Sequence, residues 1–236
     1  MRSGFLALTA LLAVTAPAYA QTTEQPTIPA PPPTAAPAPA QAPAPANPVQ
    51  RFEAYATSDG YKKSIGQIAV MGSTIHHPEC KDHKAVKRAA ITIFVGPIFA
   101  EGMHPVNGLW LDRIQMDVCG KTTYENILVQ GQPGTTPKAA LKMPGQTSAN
   151  PPMQDLVLKD IVDALATKKC TDMAQIIPVD SVAGKETKPR KIDQHGVLVE
   201  GAWKETWSLR ACGKNVTATV DFTTDGKGGL KHKVKL

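Results

Sequence analysis

The chain carries one short pattern of residues twice, at an offset of 93 positions. The two copies are Val106, Gly108, Trp110, Cys119-Gly120-Lys121 and Val199, Gly201, Trp203, Cys212-Gly213-Lys214. Because the chain has only three Trp and four Cys among 236 residues, a chance match of both types at one offset is not expected. We interpret the pattern as an internal duplication, which restricts the fold to two copies of one unit. We place these units at residues 51–147 and 148–236.

Each unit is predicted to begin with a helix. Asn150-Pro151-Pro152 precedes apolar residues at helical spacing, which predicts a helix over about residues 152–168. Ser58-Asp59 and Gly72 are typical of helix ends, so we predict a shorter helix over about residues 60–71 in the first unit.

The Trp segments alternate with a period of two, which predicts half-buried antiparallel strands. The apolar faces of the two copies carry Trp110, Ile114, Met116, Val118 and Trp203, Trp207, Leu209, Ala211. Further strands are predicted at residues 91–95, 175–179, 216–222 and 230–236, with a hairpin loop over residues 225–229. Pro178 marks residues 175–179 as an edge strand. The predicted fold class is α+β, in two tandem repeated units that each pack a helix on a small antiparallel sheet.

The four cysteines are predicted to form one disulfide in each unit. Each unit has a Cys after its helix, Cys80 or Cys170, and a Cys at the end of its Trp strand, Cys119 or Cys212. The similar spacing favours the pairs Cys80–Cys119 and Cys170–Cys212 over the other connectivities. Strand alternation places Cys119 and Cys212 opposite the Trp face, so either a bulge follows or the bridges lie outside the core.

The N-terminal region is predicted to direct export. Residues 1–20 combine Arg2, an apolar run and Ala18-Tyr19-Ala20, which is typical of a cleaved signal peptide, with Gln21 as the mature start. The apolar run is shorter than the roughly 20 residues that span a membrane, and no later stretch is long enough. We therefore expect a periplasmic or secreted protein without a transmembrane segment in the mature chain.

Residues 21–50 are nearly all Pro and Ala, with scattered Gln and Thr. This composition has no large side chains to bury and favours extended polyproline II, so we predict a disordered linker. Composition supports a spacer function and an inert leader equally.

The net charge of +6 favours anionic partners. One candidate surface for an anionic envelope component is a predicted loop containing Lys185, Lys188, Arg190 and Lys191. The lysines of the last predicted strand instead fit protection of a sheet edge. Nucleic acid is not an expected partner, because aromatic residues make up only 5% of the chain and no nucleic-acid-binding motif occurs.

A group of potential metal ligands surrounds Cys80: His76, His77, Glu79, Asp82 and His83. Imidazole and carboxylate groups at short spacing can bind Zn²⁺ or Cu²⁺, and His104 is a further candidate ligand. No established ligand spacing is present and the second unit lacks the group, which favours an ordinary solvated loop.

No sequence motif of an enzyme is recognisable. The chain has no G-x-S-x-G, no H-E-x-x-H and no phosphate-binding loop. The cysteines are far apart and duplicated, which favours a structural role over a redox or nucleophilic one. The tryptophans lie on the apolar face, which favours core packing over ligand stacking.

The C-terminal stretch resembles part of a known group of proteins. Its Trp strand, Cys212-Gly213-Lys214, Phe222 and Asp225-Gly226-Lys227-Gly228-Gly229 are similar to the ending of a loose group of uncharacterised exported proteins of proteobacteria, over about 30 residues. This resemblance implies a periplasmic or secreted setting and no particular activity. In general plan, tandem helix-plus-sheet units that each hold a disulfide also look like secreted β-lactamase inhibitory proteins, with which the chain shares no motif.

These observations favour a non-enzymatic binding or interaction module of the bacterial envelope that needs no cofactor. The alternative is a periplasmic metal-binding protein that holds Zn or Cu through His76, His77 and His83.

Overall fold

The computed structural model describes residues 47–194 and 197–236. Its elements in chain order are α1 (Pro48–Thr57), α2 (Asp59–His76), β1 (His83–Phe99), β2 (Pro105–Val118), β3 (Lys121–Gln130), β4 (Lys138–Lys142), α3 (Pro151–Ala166), a 3-10 turn (Met173–Gln175), β5 (Ile176–Ile192), β6 (Leu198–Ala211), β7 (Lys214–Thr224) and β8 (Leu230–Lys235). The predicted signal peptide and residues 21–46 of the predicted linker lie outside the described residues. None of the described helices is long and apolar enough to cross a membrane.

Helix α1 begins inside the segment that the sequence analysis assigned to the linker. The Asn47 side chain accepts a hydrogen bond from the Gln50 backbone N–H at 2.9 Å, and the Gln50 side chain accepts one from the Asn47 N–H. This capping box satisfies backbone donors that a helix start leaves open, and Pro48 tolerates the first turn because its missing N–H is not needed there. Asn47 is therefore the N-cap of α1.

Helix α2 continues past its predicted end at Gly72 and reaches His76. A Cβ atom added at Gly72 would lie 2.6 Å from Leu141 Cδ2. The glycine is therefore needed for close approach of α2 to the sheet and not for a left-handed helix end. Helix α3 matches its prediction closely, with Asn150 as the cap.

The strands form two four-stranded antiparallel sheets, in the orders β1-β2-β3-β4 and β5-β6-β7-β8. Helices α1 and α2 pack on the first sheet, and α3 packs on the second. The α+β class is therefore confirmed. The edge strands β1 and β5 are much longer than predicted, with 17 residues each, and β5 extends over the segment that we predicted to be a basic loop.

The two sheets pair their edge strands in equivalent registers. Ile93 is opposite Trp110, and Glu186 is opposite Trp203. At the offset that relates the two sequence patterns, Val95, Ile98 and Phe99 on β1 correspond in pairing to Lys188, Lys191 and Ile192 on β5, and the register shifts between them recur as well. Residues on β1 and β5 can therefore be compared position by position.

The predicted apolar faces of the Trp strands are confirmed. Trp110, Ile114, Met116 and Val118 are buried beneath α1 and α2, and Trp203, Trp207, Leu209 and Ala211 are buried beneath α3. The rings of Phe52 on α1 and Trp110 meet edge to face, with 5.2 Å between their centroids.

The Cys-Gly pairs occupy two-residue hairpin turns. Cys119 and Gly120 have φ angles of 48° and 79°, and Cys212 and Gly213 have 48° and 75°. Two consecutive positive φ angles are typical of the type I′ turn that joins twisted antiparallel strands. Each Cys therefore lies in a turn, where the alternation of strand faces no longer applies. No bulge is needed to explain the position of its side chain. The bridges are Cys80–Cys119 and Cys170–Cys212, with Cα–Cα distances of 6.0 and 5.9 Å.

The connection between β4 and α3 binds both sheets. The Gly145 N–H donates to the Tyr124 carbonyl at 2.8 Å, and the Gln146 N–H donates to the Ser181 carbonyl at 2.7 Å. The Ser148 N–H then donates to the Glu205 carboxylate at 2.8 Å. This segment therefore contributes hydrogen bonds to the first sheet and to the second within four residues.

Candidate functional site

His76 is held by a buried hydrogen bond to a carboxylate. Its Nδ1 lies 2.9 Å from Glu125 Oε2 and 3.0 Å from Oε1, and Glu125 on β3 is completely buried. The pair joins the end of α2 to the middle of the first sheet. A buried carboxylate needs such a partner, so His76 has a structural role in this position.

His83 has a hydrogen-bond partner at each ring nitrogen. Its Nε2 donates to the Cys80 carbonyl at 3.0 Å, and its Nδ1 forms a hydrogen bond with the Ser73 hydroxyl at 2.7 Å. Asp82 forms an exposed ion pair with Lys84 at 2.9 Å.

The structure does not gather the proposed metal ligands into one chelating group. Within residues 47–194 and 197–236, no three His, Cys, Asp or Glu side chains are arranged to hold a metal ion. His104, the further candidate ligand, packs edge to face on the Tyr55 ring, with 5.8 Å between centroids.

His77 and Glu79 line a polar cleft of about 530 Å³ with Asp180 of β5 and Thr123 of β3. His77 Nδ1 is 3.6 Å from Glu79 Oε1, while His77 Nε2 and Thr123 Oγ1 are buried without a hydrogen-bond partner. Burial lowers the pKa of His77 and raises the pKa of Asp180. The cleft therefore favours the neutral forms of both groups.

The predicted basic loop is a strand, which corrects the sequence analysis. Lys185, Lys188, Arg190 and Lys191 lie on β5 because the chain pairs with β6 as far as Ile192. Lys188 and Lys191 each lie 2.9 Å from a Glu200 oxygen, and their hydrogen bonds lower the pKa of that carboxyl to about 2. Arg190 pairs with Glu186 at 2.9 Å and stacks over the Trp203 ring. Much of this basic charge is therefore neutralised locally.

Besides Glu125, two further buried acids were not predicted from the sequence. Asp112 accepts a hydrogen bond from the Tyr61 hydroxyl at 2.5 Å and contacts Arg88 Nε at 2.5 Å. The Trp110 indole N–H donates to the same Tyr61 oxygen at 2.7 Å. Burial raises the pKa of Asp112. This network connects α2, β1 and β2 in the first core.

Glu205 is the acid of the second core. Its carboxylate accepts hydrogen bonds from the indole N–H groups of Trp203 and Trp207, each at 2.9 Å, and from the Ser148 backbone. Asp112 and Glu205 both lie two residues after the repeated Trp, on its buried face, and this shared position was the signal that could have identified them. Both carboxylates lie inside the cores and accept hydrogen bonds from groups of the protein itself.

A mostly apolar hollow of about 440 Å³ lies beside α2, between Tyr55, Tyr61, His104 and Val129. The Nδ1 atom of His104 is buried there without a hydrogen-bond partner. Burial raises the pKa of Tyr55 to about 12, so its hydroxyl stays protonated at neutral pH.

The outer edge of β1 exposes apolar side chains. Ile93, Val95 and Ile98 are 49%, 47% and 55% exposed, and Phe94 between them is 39% exposed. β1 is the first strand of its sheet, and no described strand pairs with its outer edge. The residues at equivalent positions on β5 are Glu186, Lys188 and Lys191. At these positions β5 is charged and β1 is apolar, so this part of β1 is the candidate interaction surface.

Comparisons with protein-family models, with curated proteins and with solved structures found no match to this chain.

Proposed function

We propose that this chain is a non-enzymatic binding module of the bacterial envelope, periplasmic or secreted, that docks a protein partner on the outer edge of β1. In this proposal the two α+β units are copies of one ancestral unit. The second copy has a protected edge, and the first has an edge that is open for binding.

The observation that carries the proposal is the difference between β1 and β5 at equivalent positions. An exposed strand edge presents unpaired N–H and C=O groups, and proteins commonly protect it with charged residues, Pro and bulges. β5 has such protection in Glu186, Lys188 and Lys191. β1 has bulges and Pro97, but it has no charged residue between Ile91 and Phe99. A partner strand would satisfy the backbone groups and bury these apolar side chains.

Other features support the setting of the proposal. The two disulfides are typical of oxidising compartments such as the periplasm or the extracellular space. A signal peptide over residues 1–20 would deliver the chain there, and the Pro/Ala-rich segment would act as a spacer between the envelope and the binding edge.

The test uses the mature protein as bait in an envelope extract. The key variant combines Ile93→Glu, Val95→Lys and Ile98→Lys, which copies onto β1 the residues that β5 carries in the same register. The control is Val182→Lys on β5, where an apolar side chain of similar exposure, 52%, lies on the other edge.

We expect wild type and the control to retain the same partner protein, and the β1 variant to lose it while keeping its thermal unfolding temperature. Retention of that partner by the folded β1 variant, or its loss from the control, would contradict β1 as the docking edge.

A further inference from the structure

β1 is divided along its length into a basic half and an apolar half. Residues 81–88 contain four cations, Lys81, Lys84, Lys87 and Arg88, against the single carboxylate of Asp82, whereas residues 91–99 carry no charge. At the positions equivalent to Lys84, Lys87 and Arg88, β5 has Ile177, Asp180 and Ser181. At these positions the basic charge is therefore found on β1 and not on β5.

Part of this charge is available to a partner. Lys87 is exposed and forms no ion pair with a described residue. The Lys84–Asp82 pair is 66% and 60% exposed, so solvent screens it and it competes weakly with a new carboxylate. Arg88 is already bound to Asp112 and to the Ala56 carbonyl, and it contributes long-range attraction only.

A groove beside the basic half can receive a side chain. It has a volume of about 350 Å³ and lies between α2 and β1, with Ile65 and Ile114 as its apolar floor and Lys62 and Lys87 at its rim. Gly66 keeps the groove open, because a Cβ atom added there would have only Ala85 Cβ within 4 Å, at 3.9 Å.

We propose that the partner docks through an extended peptide segment with an acidic half and an apolar half, which pairs along β1 as an additional strand. The acidic half faces Lys84 and Lys87, and the apolar half covers residues 91–99. This inference rests on the proposed function and specifies the partner for the same edge.

The geometry of β1 limits where the pairing is regular. Between its register shifts, β1 pairs with β2 over four consecutive residues, Ala90 to Ile93. This stretch is the junction of the two halves, so a short strand centred on it reaches the lysines on one side and the apolar residues on the other.

A peptide fits this edge better than a lipid surface does. Anionic lipid also attracts lysines and apolar side chains, but hydrocarbon cannot satisfy the N–H and C=O groups of an open sheet edge. A second copy of this chain pairing through β1 also fits poorly, because residues 81–99 supply only the carboxylate of Asp82, which Lys84 already binds.

The test measures binding of fluorescent peptides to the mature protein by anisotropy. Three peptides of about ten residues, a usual strand length, share one β-branched apolar half and differ in the other half, which is acidic, basic or neutral. The protein variants are Lys84→Glu with Lys87→Glu, the β1 triple variant and the Val182→Lys control. Vesicles with anionic lipid and sedimentation of the protein alone complete the set.

We expect the acidic peptide to bind wild type and Val182→Lys at least roughly tenfold more tightly than the basic peptide does, with an affinity that falls as salt is added. The Lys84→Glu, Lys87→Glu variant should reverse this preference, and the β1 triple variant should bind neither peptide.

Other results overturn the inference in distinguishable ways. If no peptide binds while the envelope partner is still captured through β1, the partner class is wrong and the proposed function stands. Equal binding of all three peptides removes the acidic half from the inference. Binding of vesicles that β1 substitutions abolish, or dimerisation through β1, assigns the edge to lipid or to a second copy.

Discussion

At the scale of single residues, each core is built around a carboxylate that is held by indole and phenol groups. Glu205 accepts three hydrogen bonds, two of them from Trp203 and Trp207. A buried acceptor with charge gains more from each donor than a neutral one does, and it is costly to leave unpaired. The position of the tryptophans therefore depends on the acid between them as well as on apolar packing.

Substituting Glu205 tests this interpretation. Glu205→Gln keeps the shape but turns an NH₂ group toward one of three donors, so we expect a loss of about 1 to 3 kcal/mol in the free energy of unfolding. Glu200→Gln, at an exposed carboxylate, is the matched control and should leave that free energy nearly unchanged. Urea unfolding of both variants checks the prediction, and equal effects would show that Glu205 has no special role.

The histidines near Cys80 permit a prediction about metal. Because His76 is bound to Glu125 and His83 to Ser73 and Cys80, chelation would have to break buried interactions. We expect calorimetry with Zn²⁺ and Cu²⁺ at about pH 7.5 to show no binding tighter than about 10 µM. A submicromolar site that weakens toward about pH 5.5 and is lost in His77→Gln would make metal binding the leading function.

At the scale of secondary-structure elements, α1 belongs to the first core although its first turn lies in the predicted linker. Phe52 is 7% exposed against Trp110, while Val49 in the first turn of the same helix is 73% exposed. Phe52→Ala should therefore cost about 3 to 5 kcal/mol, the usual range for emptying a core aromatic site. Val49→Ala is the control. A small effect of Phe52→Ala in thermal unfolding would separate α1 from the fold.

The edge strands show how two elements with the same pairing can differ in the residues of their outer edges. β1 and β5 pair with the Trp strands in equivalent registers, yet they carry different residues on their outer edges. Sheet formation depends on backbone hydrogen bonds and on the buried face, so the outer edge can vary without changing the fold. Binding and protection can therefore evolve on the same scaffold.

At the scale of the whole molecule, the disulfides close each unit on itself. They join residues separated by 39 and 42 positions, and loops of this size predict about 4 kcal/mol of stabilisation each in the chain-entropy model. Peptide mapping of the non-reduced protein should recover Cys80 with Cys119 and Cys170 with Cys212. A pair between units, or free thiols, would contradict this arrangement.

The cleft between the sheets should make stability depend on pH. Because burial lowers the pKa of His77, the unfolded chain takes up a proton there as the pH falls below 6.5, while the folded chain resists it. The free energy of unfolding therefore decreases on acidification. We expect wild type to lose more stability than His77→Gln between about pH 7.5 and about pH 5.5, measured by urea unfolding. An equal or larger loss in the variant would refute this assignment.

Local patterns in the sequence determined the buried faces of the Trp strands, the N-terminal caps of α2 and α3, and the Cys spacing that predicts the bridges. These features depend on the spacing of apolar residues and on the residue types at turns and helix ends. Both can be read within short segments of the sequence. The full extent of α2 was not predicted, because Gly72 fits both a helix end and a close approach to the sheet until its neighbours are known. Helix α1 was not predicted at all.

Tertiary structure alone decided which titratable side chains come together and which residues the open edge of β1 exposes. His76 and Glu125, Asp112 and Arg88, and His77 and Asp180 are far apart in sequence and come together only through strand register and helix packing. The same register puts Ile93 on β1 and Glu186 on β5 at equivalent positions. This equivalence could be recognised only once the bulges of both strands were known. Burial and exposure depend on these long-range contacts, so the candidate binding edge could be recognised only in the folded chain.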